Sequence, residues 1–240
     1  ALVTAGSLVV ASTAKGTMSD TASTSIAATV LSAIGGKTSG AVTVTNAIVI
    51  TGTQAALTAA LVTAGTLVVA ATATGTISDA AGVNINAEDL SAIGASTSGA
   101  VTVTNAIDIF GTVVQSTAAM VTSASKVIAA SATVTLDDAA SVAEANAIDA
   151  LTTGIITATL DTGTIASFSG LTGTGNLYTI AVSNDASVAQ VNAVDAKTTG
   201  VITATVSTDT AANLTGQTIN DANSNNDIDL AVTALHLDLD

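Results

Sequence analysis

Cysteine, proline, tryptophan and arginine are missing from these 240 residues, and only three aromatic rings occur, on Phe110, Phe168 and Tyr178. Without cysteine there is no disulfide framework and no thiolate zinc or iron–sulfur site. Such avoidance of thiols fits an exported chain. Four lysines stand against eighteen acids, sixteen of them Asp, for a formal net charge of −14. A chain of this charge cannot neutralise a phosphate backbone, so nucleic acid is not an expected partner, and anionic membrane surfaces are disfavoured for the same reason. The single histidine, His236, sits among alternating apolar residues and reads as an exposed strand residue. A Ser–His–Asp triad would have to use it, because there is no other.

Bulky residues are as scarce as charged ones. Hydrophobic residues make up 48% of the chain but are mostly Ala and Val. A globular core of this length leans on large side chains to reach crystal-like density, whereas Ala, Val, Thr, Ser and Gly fill thin layers between close backbones. Length alone allows one large domain or two small ones, and the small side chains favour a slender, repetitive body. Disorder is disfavoured by 9% charged residues and abundant β-branched ones. No basic region precedes an apolar core at the start, so the chain reads as a mature form or an excised piece. Residues 57–73 are apolar, but Thr and Gly interrupt them and their counterpart one repeat later contains Lys126. A membrane span is therefore not expected.

What the sequence has is repetition. A shift of 59 lays residues 1–53 on 60–112 without a gap, and a third, drifting copy begins at Ala119. Farther on, SVAEANAIDALTTGIITATL (141–160) recurs as SVAQVNAVDAKTTGVITATV (187–206), a shift of 46. Inside the repeat, β-rich stretches begin near Ser7, Ala41, Thr66, Ala100, Lys126, Ile155, Asn176 and Val201, spaced by 21 to 34 residues. The segment AVTVT places Val42 and Val44 on one face and Thr43 and Thr45 on the other.

The Ala-rich stretches between them predict short helices. Ser141 with Glu144, and Ser187 with Gln190, match a capping box. Gly154 and Gly200 stand where a left-handed C-terminal cap would follow. The expected fold is a repeat solenoid spanning residues 1–240 as a single elongated body, with parallel strands stacked coil on coil and short helical returns. The alternative is an all-β parallel β-helix in which the Ala-rich stretches are extended.

The two long repeats at 141–160 and 187–206 resemble the Ala/Thr/Asp-rich repeats of very large secreted surface proteins of cyanobacteria and other aquatic bacteria. The likeness is sharp over 138–160 and 185–206, weaker at 79–104, and compositional elsewhere. It implies an extracellular or cell-surface location and an adhesive or fibre-forming role. It supplies no active site, and no enzymatic activity is expected.

One recurring pattern suggests a metal. Asn-Ala-x-Asp occurs at Asn86/Asp89, Asn105/Asp108, Asn146/Asp149 and Asn192/Asp195. On a helix, positions three apart share a side, and oxygen-only groups of this kind suit Ca²⁺. The densest run comprises Asn220, Asp221, Asn223, Asn225, Asn226, Asp227 and Asp229. The candidate calcium ligands are Asp221, Asp227, Asp229, Asn146, Asp149, Asn192 and Asp195, and no other cofactor is indicated. The competing reading is that these residues satisfy bends between coils, since neither a Gly-rich calcium nonapeptide nor an EF-hand loop is present.

Thr-x-Thr pairs at 43/45, 102/104, 133/135, 157/159 and 203/205 would rank hydroxyls on one face, as ice-binding surfaces do, though Thr also favours exposed strands. Paired carboxylates could cleave glycosides as in tailspikes, but sugar clefts also want aromatic platforms. A sequon at Asn213-Leu-Thr215 permits glycosylation. The expected role is structural: a subunit of a surface fibre or the stalk of a giant adhesin, with copies of itself or the rest of a longer repeat chain as partner. The alternatives are a binding module and, more remotely, a tailspike. Neither end shows an obvious polar cap, which favours head-to-tail association, and DIDLAVTALHLDLD (227–240) could supply a docking strand.

Overall fold

The computed structural model describes residues 12–124, 127–207 and 226–230. The chain is α/β, and strands pair in parallel in each of three sheets. It divides into two compact units, one of residues 1–134 with 151–154, the other of 135–150 with 155–240.

The first unit runs β1 (Gly16–Met18), β2 (Ser25–Ala27), α1 (Ala28–Gly35), β3 (Val42–Val44), β4 (Val49–Gly52), α2 (Gln54–Leu61) and β5 (Val68–Val69). It continues through β6 (Thr74–Ile77), β7 (Asn84–Asn86), α3 (Ala87–Ala95), β8 (Val101–Val103), β9 (Asp108–Gly111), α4 (Val113–Ser116), a π-helical turn (Thr117–Val121) and β10 (Val127–Ile128). Strand β11 (Thr133–Leu136) falls at the division of the chain.

Two ladders are complete in this unit: β1–β3–β5 and β2–β4–β6–β8–β10. Gly16 stands beside Val42 and Val42 beside Val68, steps of 26 residues. Ser25 stands beside Val49 and Val49 beside Thr74, steps of 24 and 25. The 59-residue shift carries the first ladder onto β6–β8–β10 and the β2–β4 pair onto β7–β9. One sequence repeat thus carries a strand from one ladder into another.

Side-chain alternation in these strands sets the core. Ile50, Val101 and Val127 occupy one inward column with Ile26 and Gly75, while Thr51, Thr76 and Thr102 form the outward column beside them. Ile48, Ile50, Leu57, Ile77, Leu90, Ile93, Ile107 and Ile109 are fully buried. These branched aliphatics do the filling that aromatics do elsewhere.

The second unit contains α5 (Val142–Asp149), β12 (Ile156–Thr159), α6 (Ile165–Phe168), β13 (Leu177–Ala181), α7 (Val188–Asp195), β14 (Ile202–Val206) and β15 (Asp227–Leu230). Strands β12 to β15 pair in that order, with Thr157 beside Leu177, Ile180 beside Ile202 and Thr203 beside Asp227. The steps here are 20, 22 and 24 residues. Its core is led by Tyr178 and Phe168.

Both expected capping boxes are present: Ser141 and Ser187 each accept from the third helical amide, and Glu144 and Gln190 reach back. The helices are therefore real, which overturns the all-extended alternative for these stretches. A third box, Thr112 with Gln115, opens α4.

The expected role of Gly154 and Gly200 is corrected. Helices α5 and α7 end on Ala150 and Ala196 in right-handed conformation, and among the described residues positive φ at glycine occurs only at Gly82, Gly111 and Gly175. Strands start at Val42, Val68, Val101, Val127, Ile156, Leu177 and Ile202, one or two residues past seven of the eight expected positions. Ser7 and Lys126 lie outside the described residues. Strands β1, β2, β4, β6, β7, β9 and β11 are additional, because their short apolar alternations merge into the neighbouring turns.

Candidate functional site

The most repeated local structure is a clasp built from a Thr-Ser/Thr-Gly triplet. In the first unit, Thr38 Oγ1 donates to Ala14 O at 2.6 Å and accepts from Gly40 N at 3.0 Å. Ser39 donates to Ser12 O through both its amide and its hydroxyl, each at 2.7 Å. Thr97-Ser98-Gly99 repeats this on Ala73 and Ala71, and Thr152-Thr153-Gly154 on Ala132 and Ala130. In the second unit Thr198-Thr199-Gly200 takes Tyr178 and Asn176 in the same way.

Each clasp reaches back 20 to 27 residues, the length of a ladder step. The glycine is needed for close approach: a Cβ on Gly40, Gly99, Gly154 or Gly200 would lie 2.1–2.3 Å from the clasped carbonyl oxygen. The triplet TSG or TTG recurs visibly in the sequence, and its signal is the fixed Gly two residues after Thr.

Residues of the Asn-Ala-x-Asp pattern hydrogen-bond within the protein. Asn146 Nδ2 donates to Gly170 O at 2.8 Å and its Oδ1 accepts from Thr172 N at 3.1 Å. Asp149 Oδ1 accepts from Asn176 Nδ2 at 2.6 Å, and Asn176 Oδ1 in turn accepts from Ile156 N at 2.8 Å. The arrangement recurs 46 residues on: Asp195 Oδ1 accepts from Asn226 Nδ2, and Asn226 Oδ1 accepts from Ile202 N, both at 2.9 Å.

Asn146 and Asp149, one turn apart, are thus each engaged with backbone or amide groups of the following segment. Asn105 Nδ2 likewise donates to Asp79 O at 2.6 Å, and Asn46 Nδ2 to Asp20 O at 2.7 Å. Asn86 caps α3 by accepting from Glu88 N, and Asp108 accepts from the Thr133 hydroxyl at 2.5 Å. These are bends and helix ends being satisfied.

Among the described residues no three or more carboxylate, histidine or cysteine groups come together to hold a metal ion. Asp195 is buried on α7, and Asn192 sits one turn before it. Of Asp227 and Asp229 the backbone is placed in β15, opposite Thr203 and Thr205. Asp221, His236 and the sequon at Asn213 lie outside the described residues.

Among the described residues, Tyr178 is the one strongly perturbed ionisable group. Burial first, and then the negative charge of Asp149, push its phenol well above the ordinary tyrosine range, with a weak opposing effect from Asn176. Its Oη is buried without a hydrogen-bond partner. A shallow concavity of about 490 Å³ in the first unit is lined by Gly35, Gly36, Thr38, Gly40, Gly65 and Leu67 among others, with no titratable side chain. No described helix is long and apolar enough to cross a membrane.

The expected outward face of the Thr-x-Thr pairs is present, with Thr43, Thr102 and Thr133 partly exposed and Thr45, Thr104 and Thr135 exposed. Exposed Val69, Ile128 and Leu177 interrupt the hydroxyl ranks. No protein-family model, curated protein or solved structure matches this chain.

Proposed function

We propose that this chain is a structural repeat protein of the cell exterior, a subunit of a surface fibre or stalk segment of a giant adhesin, built as a solenoid and assembling head to tail. The observation that carries the reading is the clasp: one triplet, used four times, fastens a segment to the one 20 to 27 residues before it. Thr and Gly are spent on joining successive steps, and the Asn–Asp pairs do the same work in the second unit. A body made this way draws its stability from nearest-neighbour stacking and can be extended by adding more of the same.

Calcium is proposed as a bridge between acidic surfaces of neighbouring subunits. Electron microscopy of the purified chain, with calcium and then with chelator, tests both parts. Fibres support the assembly, and their loss in chelator supports the bridge. Short monomeric rods in both conditions overturn self-assembly. The outward column Thr51–Thr76–Thr102 favours a second reading, a binding face, which adsorption to growing ice crystals would test.

A further inference from the structure

Residues 12–59 and 71–118 are one sequence element used twice, and both repeats lie inside the first unit. They are identical over 38–48 and 97–107, which hold the clasp and the strand after it. Many of their differences gather at one corner. Thr51, Ala55 and Ala56 of the first repeat become Phe110, Val114 and Gln115 in the second, and Thr29, Val30 and Val49 become Glu88, Asp89 and Asp108. The second repeat thereby gains large apolar groups and acids together.

The fold brings these positions to one place. Strand β9 carries Asp108 and Phe110 on the outward face of the sheet, since Ile109 between them is fully buried. Phe110 stands beside Asn86, which caps α3, and Glu88 and Asp89 lie in the first turn of that helix. Glu88 Oε2 accepts from Gln115 Nε2 at 3.0 Å, tying the start of α3 to α4, on which Val114 precedes Gln115. A Cβ on Gly111 would lie 2.9 Å from Gln115 Oε1 and 3.3 Å from the Ala87 Cβ, so the end of β9 and the starts of both helices meet here.

Of the three aromatic rings, Phe168 and Tyr178 are buried while Phe110 is 38% exposed, and Val114, at 74%, is the most exposed large aliphatic among the described residues. The first repeat builds the same strand and helix with Thr51 and Ala55, so the fold itself requires no large apolar group at either position. The acids are not used up either. Asp108 accepts from the Thr133 hydroxyl and Glu88 from the Gln115 amide, both neutral donors, and Asp89 is exposed. We propose that this corner is a docking surface for a basic segment of another polypeptide, which sets an aliphatic side chain against Phe110 and Val114 and Lys or Arg against Glu88, Asp89 and Asp108. Charge selects this occupant: a guanidinium or ammonium pairs with the carboxylates and stacks on the exposed ring. Another copy of this chain brings no arginine, and its net charge of −14 opposes approach to an acidic corner.

Fluorescence anisotropy of a short labelled peptide of alternating Arg and Leu, titrated with the whole chain at about 50 mM salt, tests the surface. F110T/V114A and E88T/D89V give the corner the residues that the first repeat already holds in the same elements. F110T/V114A is expected to weaken binding about tenfold although the net charge is unchanged. E88T/D89V is expected to weaken it about tenfold and to flatten its salt dependence. D161N/D185N removes two exposed acids of the second unit instead, and is expected to change binding less than about twofold.

A wild type that does not bind the peptide overturns the surface. So does equal binding by F110T/V114A, which would reduce the effect to attraction between opposite net charges, and so does D161N/D185N weakening binding as much as E88T/D89V. A Glu–Leu peptide that binds as tightly as the Arg–Leu peptide overturns the basic partner. A wild type that sediments as a dimer while F110T/V114A sediments as a monomer would mean that another copy covers the corner, and overturns it as well. The surface is separate from head-to-tail assembly, so loss of peptide binding by F110T/V114A upholds it whether or not fibres form.

Discussion

Thr198 grips Tyr178 by both polar groups of its backbone, accepting from Tyr178 N at 2.9 Å and donating to Tyr178 O at 3.0 Å across twenty residues of chain. The same hydroxyl accepts from Gly200 N at 2.9 Å and lies buried. Replacing it with the near-isosteric valine, Thr198→Val, would leave two buried amides without a partner. The expected cost is about 3 kcal/mol, read as a lower midpoint in urea unfolding with an unchanged slope. A loss no greater than that of an exposed threonine, such as Thr45→Val, would remove the clasp from its central place.

The glycine of each clasp is the second test. A Cβ on Gly200 would lie 2.2 Å from Tyr178 O and one on Gly154 2.1 Å from Ala132 O, whereas Gly65 has open space around it. Gly200→Ala and Gly154→Ala should each cost about 2 kcal/mol or more, because backbone must move. Gly65→Ala should be neutral or slightly stabilising through the unfolded chain. Thermal unfolding of the three variants side by side decides it. Equal effects would mean that close approach is not what the glycine serves.

The orphaned phenol of Tyr178 gives a pH prediction with a definite sign. Because burial raises its folded pKa above the unfolded value of about 10, the unfolded chain releases this proton first as the pH rises. Stability from this group is complete below about pH 10 and falls as the pH rises beyond it. The chain has no other tyrosine. Tyr178→Phe should therefore abolish that part of the decline. At neutral pH it should also be neutral or stabilising by about 1 kcal/mol, since no hydrogen bond is lost. A destabilised Tyr178→Phe would reveal a partner for the hydroxyl.

Ser23 adopts φ of 66°, and its counterpart one repeat later is Gly82, at φ of 74°. A side chain in the left-handed region is strained, and glycine is not. Ser23→Gly should raise stability by about 0.5 kcal/mol, and Gly82→Ser should lower it by a similar amount. Reciprocal shifts in melting temperature check both. A drop in the first would show that the serine side chain compensates its own strain.

Some of this was legible in the residues alone. Capping boxes at Ser141 and Ser187 involve groups three residues apart, so spacing suffices to read them, and the Val/Thr alternation of β3 and β8 follows from the pleat. The use of Gly154 was misread. A glycine four residues past a helix looks like a cap, and only the returning chain shows the carbonyl of Ala132 against it. The contact of Asp149 with Asn176 escaped for the same reason: 27 residues separate them, and spacing shows only that Asn146 and Asp149 are neighbours on one helix.

The sequence by itself determined the period, the parallel α/β character, the small-residue interior and the helix starts, because each depends on neighbours within a turn or on a count repeated at fixed distance. Which hydroxyl meets which carbonyl, which of two identical isoleucines is buried, and which glycine cannot bear a Cβ were decided only by the tertiary structure. Those outcomes depend on what other segments place alongside, and Ile34 and Ile93, alike in sequence, differ in burial as their helices differ in packing: α3 lies against both α2 and the π-helical turn, whereas α1 lies against α2 among the described residues.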